Sequence, residues 1–492
     1  MRILIVASVP FESMRRRQQQ VALGLSAQGH EVLYLNPPRP FRSLMDPGRF
    51  ELDEIPLDQI SSCDEHGQAD RVSPGSAASV PKGVAGDTGS TVSLEGSTST
   101  APAGNSEPAA AVESTEPAAI AQGTESASAT GPMAQPENAG EDLRVAGVRI
   151  RSVQPGLHVA EKGVAFAAMG RWGWATRAGW KRWGAEVRAV IATLSDDGKD
   201  SSERFSFRPE VALVYHPALI RTVREIYAGP LVFDCLDDFP SLARSRSIAA
   251  AYEEVLTEGL PLVDGMIAVN RYLLESWGRL LRPEIPEVVI EHGVDLSLFR
   301  PPDVQRKAAV RSALGIPPDL KTICYLGRAD ARISYEDLRT MMSLDEETLF
   351  LFVGEVSPEG RAIFQRFHGQ RIMPVGPIRP EQAADVVAAS EVLIFPFRRE
   401  PHLESVRGLK LYEYLATGRP VVASFRRTLK AFRELLYLYT TREELEEAFG
   451  AALAEPEKAP QQAARISRAH DAAWSRRIAE VESFLQNVMQ GA

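Results

Sequence analysis

The chain has 492 residues, which is more than one hydrophobic core usually supports, so two or three domains are expected. Its composition is that of a globular protein, and its formal net charge of −10 argues against a general nucleic-acid-binding protein. It contains no run of about 18 apolar residues, so no membrane-spanning helix is expected.

Short apolar runs that predict buried β-strands alternate with helical patterns through the first 300 residues. The first run, RILIVAS, is too short for a secretory signal and predicts a core strand. The series lies at residues 2–8, 31–37, 148–153, 211–217, 231–236, 265–270 and 287–293. This alternation predicts a parallel sheet covered by helices on both faces.

Residues 63–141 consist mainly of Ala, Ser, Gly, Thr, Pro and Glu, with almost no large apolar side chain. Such a composition buries too little apolar surface to offset the entropy lost on ordering. The stretch is therefore predicted to be a disordered insertion in the first domain, and is interpreted as a loop without chemistry of its own.

A second series of strands predicts a second domain at residues 301–470, after a first domain at 1–300. Its apolar runs lie at residues 322–327, 348–354, 391–397, 420–424 and 436–440. The final segment, 471–492, has an amphipathic helical pattern and is expected to return to pack on the first domain. The predicted fold class is α/β, with two doubly wound Rossmann-like domains whose parallel sheets face each other across a cleft.

Several common catalytic motifs are absent from the sequence. The turn after the first strand reads VPFESMRRR and lacks the glycines of a dinucleotide-binding loop, which argues against a hydride-transfer enzyme. No phosphate-binding G-x-x-x-x-G-K-[ST] loop or H-E-x-x-H motif occurs. The three cysteines lie far apart, without a metal-binding spacing, and favour a reducing cytosol, so a cytoplasmic protein is expected.

The stretch GLKLYEYLATGRPVVAS predicts a helix that begins near Lys410 and ends at Gly418. Lys410 and Glu413 lie on one face of it, at the type of loop-to-helix junction where open α/β sheets bind ligands. In YLGRAD, Arg328 follows a strand and a glycine. Two cations at such a junction can bind a diphosphate without a metal, and a carboxylate can accept hydrogen bonds from a ribose diol. Taken singly, these residues also fit a solvated lysine, a helix-face carboxylate and a structural arginine.

Four segments together resemble the GT-B-fold glycosyltransferases, particularly those that make bacterial cell-surface polysaccharides. They are KLYEYLATGRPVV, preceded by a strand that ends in FPF, RRQQQVALGLSAQGHEVLYLNP, LVFDCLDDFP and VIEHGVDLSLF. The resemblance covers nearly the whole chain apart from the insertion and the Trp-rich region.

The resemblance implies transfer of a sugar from a nucleoside diphosphate sugar to a polysaccharide, lipid-linked or other glycoconjugate acceptor, with retention of configuration and without a metal or other cofactor. Glu413 would hold the ribose, while Arg328 and Lys410 would hold the diphosphate as negative charge develops on it. The expected catalytic residues are Asp237, Asp238, Arg328 and Lys410. The expected substrate-binding residues are Arg17, Asp234, His292, Gly293, Gly327, Arg328, Glu404, Ser405, Leu409, Lys410 and Glu413.

The sequence departs from the family pattern in three respects, one of which is that the basic residue found a few positions after the Gly–Arg pair in many relatives is not obvious near Ile333. Many relatives carry a glutamate eight residues before the position of Glu413, where this chain has Ser405 with Glu404 beside it, and His292 stands in place of the usual asparagine. Two alternatives therefore stay open. A sugar-nucleotide 2-epimerase of the same architecture would turn over nucleotide sugar without an acceptor, and a non-catalytic nucleotide-sugar-binding protein would show no turnover.

The segment DCLDD, residues 234–238, has several interpretations. Paired carboxylates after a strand can bind Mg²⁺ or Mn²⁺, can cap a helix, or can orient an acceptor hydroxyl and act as a base. We assign the segment to the acceptor side of the cleft, with Asp237 as the orienting residue, because Arg328 and Lys410 would already neutralise the diphosphate.

Residues 169–194 interleave tryptophans with basic residues, in the sequence MGRWGWATRAGWKRWGAEVRAVIATL. Helices of this composition bind well at a membrane surface, where lipid-linked acceptors are found. A helix that packs in the core and exposes its arginines to solvent is the other interpretation. The sequence therefore predicts peripheral contact with the inner face of the membrane, with packing of this helix in the core as the alternative.

Overall fold

The computed structural model describes residues 1–11, 16–37, 143–145, 148–162, 173–195, 207–243, 245–367, 371–400, 410–456 and 459–491. All of these belong to one compact unit. The predicted insertion at 63–141 lies outside the described residues, as do Glu404, Ser405 and Leu409.

The first part of the chain forms one sheet, whose described strands lie in the order β3-β4-β5-β2-β1-β6-β7-β8-β9. The strands are β1 Arg2–Val6, β2 Glu31–Leu35, β3 Leu143–Val145, β4 Val148–Gln154, β5 Leu157–Lys162, β6 Val211–Val214, β7 Leu231–Cys235, β8 Gly265–Ala268 and β9 Glu287–Val289. From β5 to β9 all neighbours pair in parallel. This portion is the doubly wound sheet that the strand–helix alternation predicts.

One edge of this sheet differs from the prediction of purely parallel pairing. Strand β4 pairs antiparallel with both β3 and β5, and β5 itself was not predicted. The turn between β4 and β5 is Pro155-Gly156, and Gly156 has φ +74°, which a Pro-Gly turn accommodates. The sequence QPGL therefore carried a hairpin signal that the expectation of strand–helix alternation concealed.

The described helices of the first part are α1 Arg17–Ala27, α2 Gly173–Ser195, α3 Ile220–Ile226, α4 Arg246–Gly259 and α5 Arg271–Trp277. Side-chain caps define the starts of α4 and α5. The side chain of Ser245 accepts a hydrogen bond from the backbone N–H of Ile248, and that of Asn270 accepts one from Leu273.

Helix α2 contains the Trp-rich segment and packs in the core of the first part. Trp180 and Trp183 are buried, and their rings lie 5.7 and 5.0 Å from that of His216. Arg177 and Arg188 form ion pairs with glutamates of neighbouring helices. These two tryptophans are therefore not available to a membrane surface, while Trp172 and the side chain of Trp174 lie outside the described residues. Within the described ranges no helix is long and apolar enough to cross a membrane.

The second part of the chain forms a parallel sheet with the order β12-β11-β10-β13-β14-β15. Its strands are β10 Lys321–Leu326, β11 Thr348–Val353, β12 Ile372–Gly376, β13 Val392–Phe395, β14 Val421–Ser424 and β15 Tyr437–Tyr439. Its helices are α6 Val304–Ala313, α7 Tyr335–Leu344, α8 Pro358–Gln365, α9 Pro380–Ala389, α10 Lys410–Ala416, α11 Arg442–Ala454 and α12 Pro460–His470. Strand β12, with the sequence IMPVG, is half-exposed and was not predicted.

Helix α13, Trp474–Gly491, packs against α1 and the first sheet rather than against the second. Its apolar face, which includes Val481 and Leu485, joins a core cluster with Ile3 and Ile5 of β1. Gly24 in α1 permits this contact, because a Cβ atom there would lie 2.0 Å from Cδ1 of Ile478.

Candidate functional site

The candidate site lies at the carboxyl edge of the second sheet. The chain runs outward from β10 through β11 to β12, then crosses back to β13 and continues to β15, so the winding reverses between β10 and β13. Open α/β sheets bind ligands outside the strand ends at such a switch point. The segments that follow these two strands, which include Arg328 and Phe397, therefore border the crevice.

Two loops at this edge approach each other so closely that they require glycine. Gly327 after β10 has φ +143°, and Gly354 after β11 has φ +129°. A Cβ atom on Gly354 would lie 2.4 Å from the carbonyl oxygen of Gly327. Because a side chain would both clash and force an unfavourable backbone conformation, these glycines set the shape of the loop that carries Arg328.

Lys410 and Glu413 meet at the start of α10. The Nζ atom of Lys410 lies 3.0 Å from Oε2 and 3.3 Å from Oε1 of Glu413. The two side chains are 27% and 18% exposed, so both are partly shielded from solvent. Burial raises the pKa of Glu413, and the positive charge of Lys410 opposes part of that rise.

Arg328 extends into solvent beside this edge. Its side chain is 50% exposed and its Nη2 atom lies 3.4 Å from Glu355, so the pairing is loose. Surface pairs of this kind contribute about 0–1 kcal/mol, which leaves the guanidinium able to exchange partners.

Arg332, four residues further on, is a site residue that the sequence reasoning did not identify. Its Nε and Nη2 atoms each donate a hydrogen bond of 2.8 Å to Asp330, in a bidentate pair. Its guanidinium carbon lies 5.7 Å from the ring centroid of Phe397, which follows β13. Its place in the same loop as Arg328 was a signal that could have identified it.

Asp237 and Asp238, at the end of β7, have different environments. Asp237 keeps an exposed side chain, yet the protein around it limits its hydration and raises its pKa, while the positive charges of Arg16 and Arg332 oppose that rise. Arg332 belongs to the second part of the chain, so its charge acts on a carboxyl group of the first. Asp238 is buried and accepts a 2.6 Å hydrogen bond from Oγ of Ser241, so it stabilises the turn after β7.

Arg17 and Asp234, which were predicted to bind substrate, form a buried ion pair. Nε of Arg17 lies 2.8 Å from Oδ2 of Asp234, and the side chains are 1% and 0% exposed. Burial raises the pKa of Asp234, and Arg17 opposes that rise. In this conformation neither side chain is accessible to a ligand, and the pair instead joins α1 to β7.

His292 and Gly293 also lie in packed positions. His292 is buried. A Cβ atom on Gly293 would lie 2.4 Å from Cδ2 of Trp474, so this glycine is needed for packing against the start of α13. In this conformation both residues are buried, so neither exposes the surface that the predicted contact with substrate requires.

Within the part of the chain that the structure describes, no three His, Cys, Asp or Glu side chains come together as a metal site. The prediction that no metal is needed stays a prediction.

Parts of this chain are similar in sequence to known glycosyltransferases. No protein-family model matches the chain. A teichuronic acid biosynthesis glycosyltransferase of Bacillus subtilis, TuaH, is 23% identical over 202 residues, which are 39% of this chain and 50% of that protein. A D-inositol 3-phosphate glycosyltransferase of Xylanimonas cellulosilytica is 30% identical over 173 residues, 33% of this chain and 40% of that protein. The chain thus spans half or less of the length of these curated relatives.

Comparison with solved structures gives the fold. Sucrose-phosphate synthase from Thermosynechococcus elongatus has a TM-score of 0.62 at 16% identity, over 100% of this chain and 99% of that one. An α,α-trehalose-phosphate synthase (UDP-forming) from Burkholderia vietnamiensis has a TM-score of 0.52 at 15% identity, over 69% of this chain and 87% of that one. The chain has the GT-B fold of glycosyltransferases. In this GT-B protein, Lys410 and Glu413 lie at the switch point of the second sheet, and Asp237 lies at a strand end of the first.

Proposed function

We propose that this GT-B protein is a glycosyltransferase that uses a nucleoside diphosphate sugar as donor. The observation that carries the proposal is the Lys410–Glu413 pair at the switch point, beside a loop that contains Arg328 and Arg332. Cations for a diphosphate and a carboxylate for a ribose diol are the groups that such a ligand requires, and binding would draw Arg328 and Arg332 from their present partners, Glu355 and Asp330. The activity named for a solved neighbour, UDP-forming, supports a nucleotide of this class.

Donor binding would rearrange the pair between Lys410 and Glu413. The diphosphate would become the partner of Lys410, and the carboxylate of Glu413 would then accept hydrogen bonds from the ribose diol. A carboxylate whose pKa is raised gains from such hydrogen bonds, because they stabilise its charged form. Before the donor binds, each side chain neutralises the charge of the other. The diphosphate would then replace Glu413 as the partner of Lys410, and the ribose diol would replace Lys410 as the partner of Glu413.

In the transfer step the bond between the anomeric carbon and the diphosphate oxygen breaks, a bond to the acceptor oxygen forms, and the acceptor's hydroxyl proton passes to Asp237 as the base. Lys410 and Arg328 would stabilise the charge that develops on the departing diphosphate. Asp237, on the first part of the chain, would accept a hydrogen bond from the acceptor hydroxyl and orient it. Retention of configuration is part of the proposal and follows from the resemblance.

The acceptor we propose is a polysaccharide or lipid-linked glycan. The support is the teichuronic acid biosynthesis named for one sequence relative, together with the sequence resemblance to enzymes that make surface polysaccharides. Contact with a membrane surface has less support than the sequence suggested, because Trp180 and Trp183 are buried.

A thermal-shift panel with UDP, GDP, ADP and CMP tests the donor class. A nucleotide at 100 times its Kd should add about 2.7 kcal/mol of stability. At equal concentrations, the diphosphate that fits the site should therefore stabilise the protein more than CMP does. The corresponding nucleotide sugar is then incubated with and without glycan acceptors, and free diphosphate is measured. Diphosphate release that depends on an acceptor supports transfer. Epimerisation without acceptor, or binding without turnover, would contradict it.

A further inference from the structure

Glu291, at the start of the segment that links the two sheets, contacts both parts of the chain. Its carbonyl oxygen accepts a 2.9 Å hydrogen bond from Nη1 of Arg17, which is itself paired with Asp234. Its carboxylate accepts hydrogen bonds from the hydroxyl of Tyr412 and, at 3.1 Å, from Nη2 of Arg468. One residue thus joins the interior of the first part to two helices of the second.

Tyr412 belongs to α10, between Lys410 and Glu413, and its side chain is 1% exposed. Arg468 in α12 donates a second hydrogen bond, of 3.2 Å, to the Tyr412 hydroxyl, and its guanidinium lies 5.4 Å from the Tyr412 ring centroid. The described part of α10 has only seven residues, so its own backbone hydrogen bonds provide little stability. Tertiary contacts must therefore fix its position, and these hydrogen bonds add to the packing of its buried side chains.

We propose that Glu291 is a positioning residue that holds α10, through Tyr412, where Lys410 and Glu413 can bind the nucleotide. The proposal rests on the proposed function for the identity of that ligand. Because shifts of about 1 Å are enough to weaken a well-aligned polar site, loss of this anchor should reduce nucleotide affinity although neither residue contacts the nucleotide. A merely structural role would instead lower stability and leave the affinity of the folded protein unchanged.

The chain offers a matched control in a second Tyr–Glu–Arg cluster. The Tyr437 hydroxyl donates a 2.8 Å hydrogen bond to Glu455, and Arg465 donates hydrogen bonds of 2.6 and 2.7 Å to the same carboxylate. This cluster has the same chemistry and lies in the same part of the chain, but it does not involve the linking segment. Tyr437→Phe therefore removes a hydroxyl from a similar cluster without removing a hydrogen bond to Glu291.

The experiment compares the full-length chain with Tyr412→Phe, Glu291→Gln and Tyr437→Phe. Hydrogen exchange followed by mass spectrometry measures the opening of peptides that cover residues 410–416, and calorimetric titration with UDP measures affinity. We expect α10 to exchange about tenfold faster in the first two variants, and UDP affinity to fall about tenfold. Tyr437→Phe should leave both within about twofold of the wild type.

Exchange in α10 that stays at the wild-type rate in Tyr412→Phe and Glu291→Gln would overturn the proposal. Faster exchange with unchanged UDP affinity would overturn it as well, because the contact would then be structural only. If the wild type binds no nucleoside diphosphate, the proposed function fails, and the exchange rates still decide whether Glu291 holds the helix. Should Glu291→Gln fail to fold, Tyr412→Phe alone decides, since it removes one hydroxyl and keeps the ring.

Discussion

Lys410 and Glu413 show how a short-range pair can prepare a binding site. Their charged atoms lie 3.0 Å apart, and both side chains are mostly shielded from solvent. The pKa of Glu413 is raised because the energetic cost of burial exceeds the attraction of Lys410. Lys410 thus holds the Glu413 carboxylate in place, but its charge does not offset the whole energetic cost of burying that carboxylate.

This state of Glu413 gives a pH-dependent stability. A carboxyl group whose pKa is higher in the folded than in the unfolded protein favours folding when it is protonated, so its favourable effect is lost as pH rises through the folded pKa. Glu413→Gln should therefore unfold at a higher temperature than the wild type at pH 7. The difference should shrink as pH falls towards the ordinary pKa of a glutamate, about 4.3. Thermal unfolding of both proteins between pH 7 and about pH 4.3 measures this difference in unfolding temperature. A difference that widens on acidification would contradict the prediction.

At the scale of elements, the two loops after β10 and β11 depend on glycine for their close approach. Gly354→Ala places a Cβ atom against the Gly327 carbonyl at a φ of +129°, and should cost about 1–3 kcal/mol of unfolding free energy. Gly450→Ala is the control, because Gly450 lies inside α11 with no atom within 4 Å of where a Cβ would be, and it should stabilise by about 0.5–1 kcal/mol. Urea denaturation measures both. Equal changes in the free energy of unfolding for the two variants would mean that the loop after β11 does not require glycine at position 354.

The strands and helices were predictable where local pattern and tertiary context agree. Strand β7 and helix α10 were predicted because buried parallel strands are apolar runs and Gly418 ends a helix. The half-exposed strand β12 and the antiparallel edge at β4 lack such a pattern. Burial of a charged residue also has no local signature, which is why Arg17 was assigned to the ligand although it pairs with a distant aspartate.

For the candidate site, the sequence could place residues at strand ends but could not show which of them face a ligand. Lys410 and Glu413 were identified together because helical spacing puts them on one face. Arg332 and Tyr412 were missed since their importance depends on partners, Asp330 and Glu291, whose proximity only the folded chain shows.

At the scale of the whole molecule, α13 ties the end of the chain to the first sheet. Leu485 is fully buried in the cluster that contains Ile3 and Ile5. Leu485→Ala should cost about 2–5 kcal/mol, as large-to-small changes in a core do. Asn487→Ala, at an exposed position of the same helix, should change stability by less than about 0.5 kcal/mol. Similar denaturation midpoints for the two variants would contradict the packing of α13.

The central claim is that Lys410 and Glu413 bind a nucleoside diphosphate, and calorimetric titration of their variants with UDP tests it most directly. Glu413→Ala should weaken UDP binding about 10- to 150-fold, the value of a charge-assisted hydrogen bond. Lys410→Ala should weaken it less, because its larger effect is expected on kcat. The control is Glu336→Ala, which removes the carboxylate of an exposed pair with Arg339 at the same helical spacing and should leave UDP binding unchanged. Wild-type affinity in folded Glu413→Ala and Lys410→Ala proteins would contradict the account.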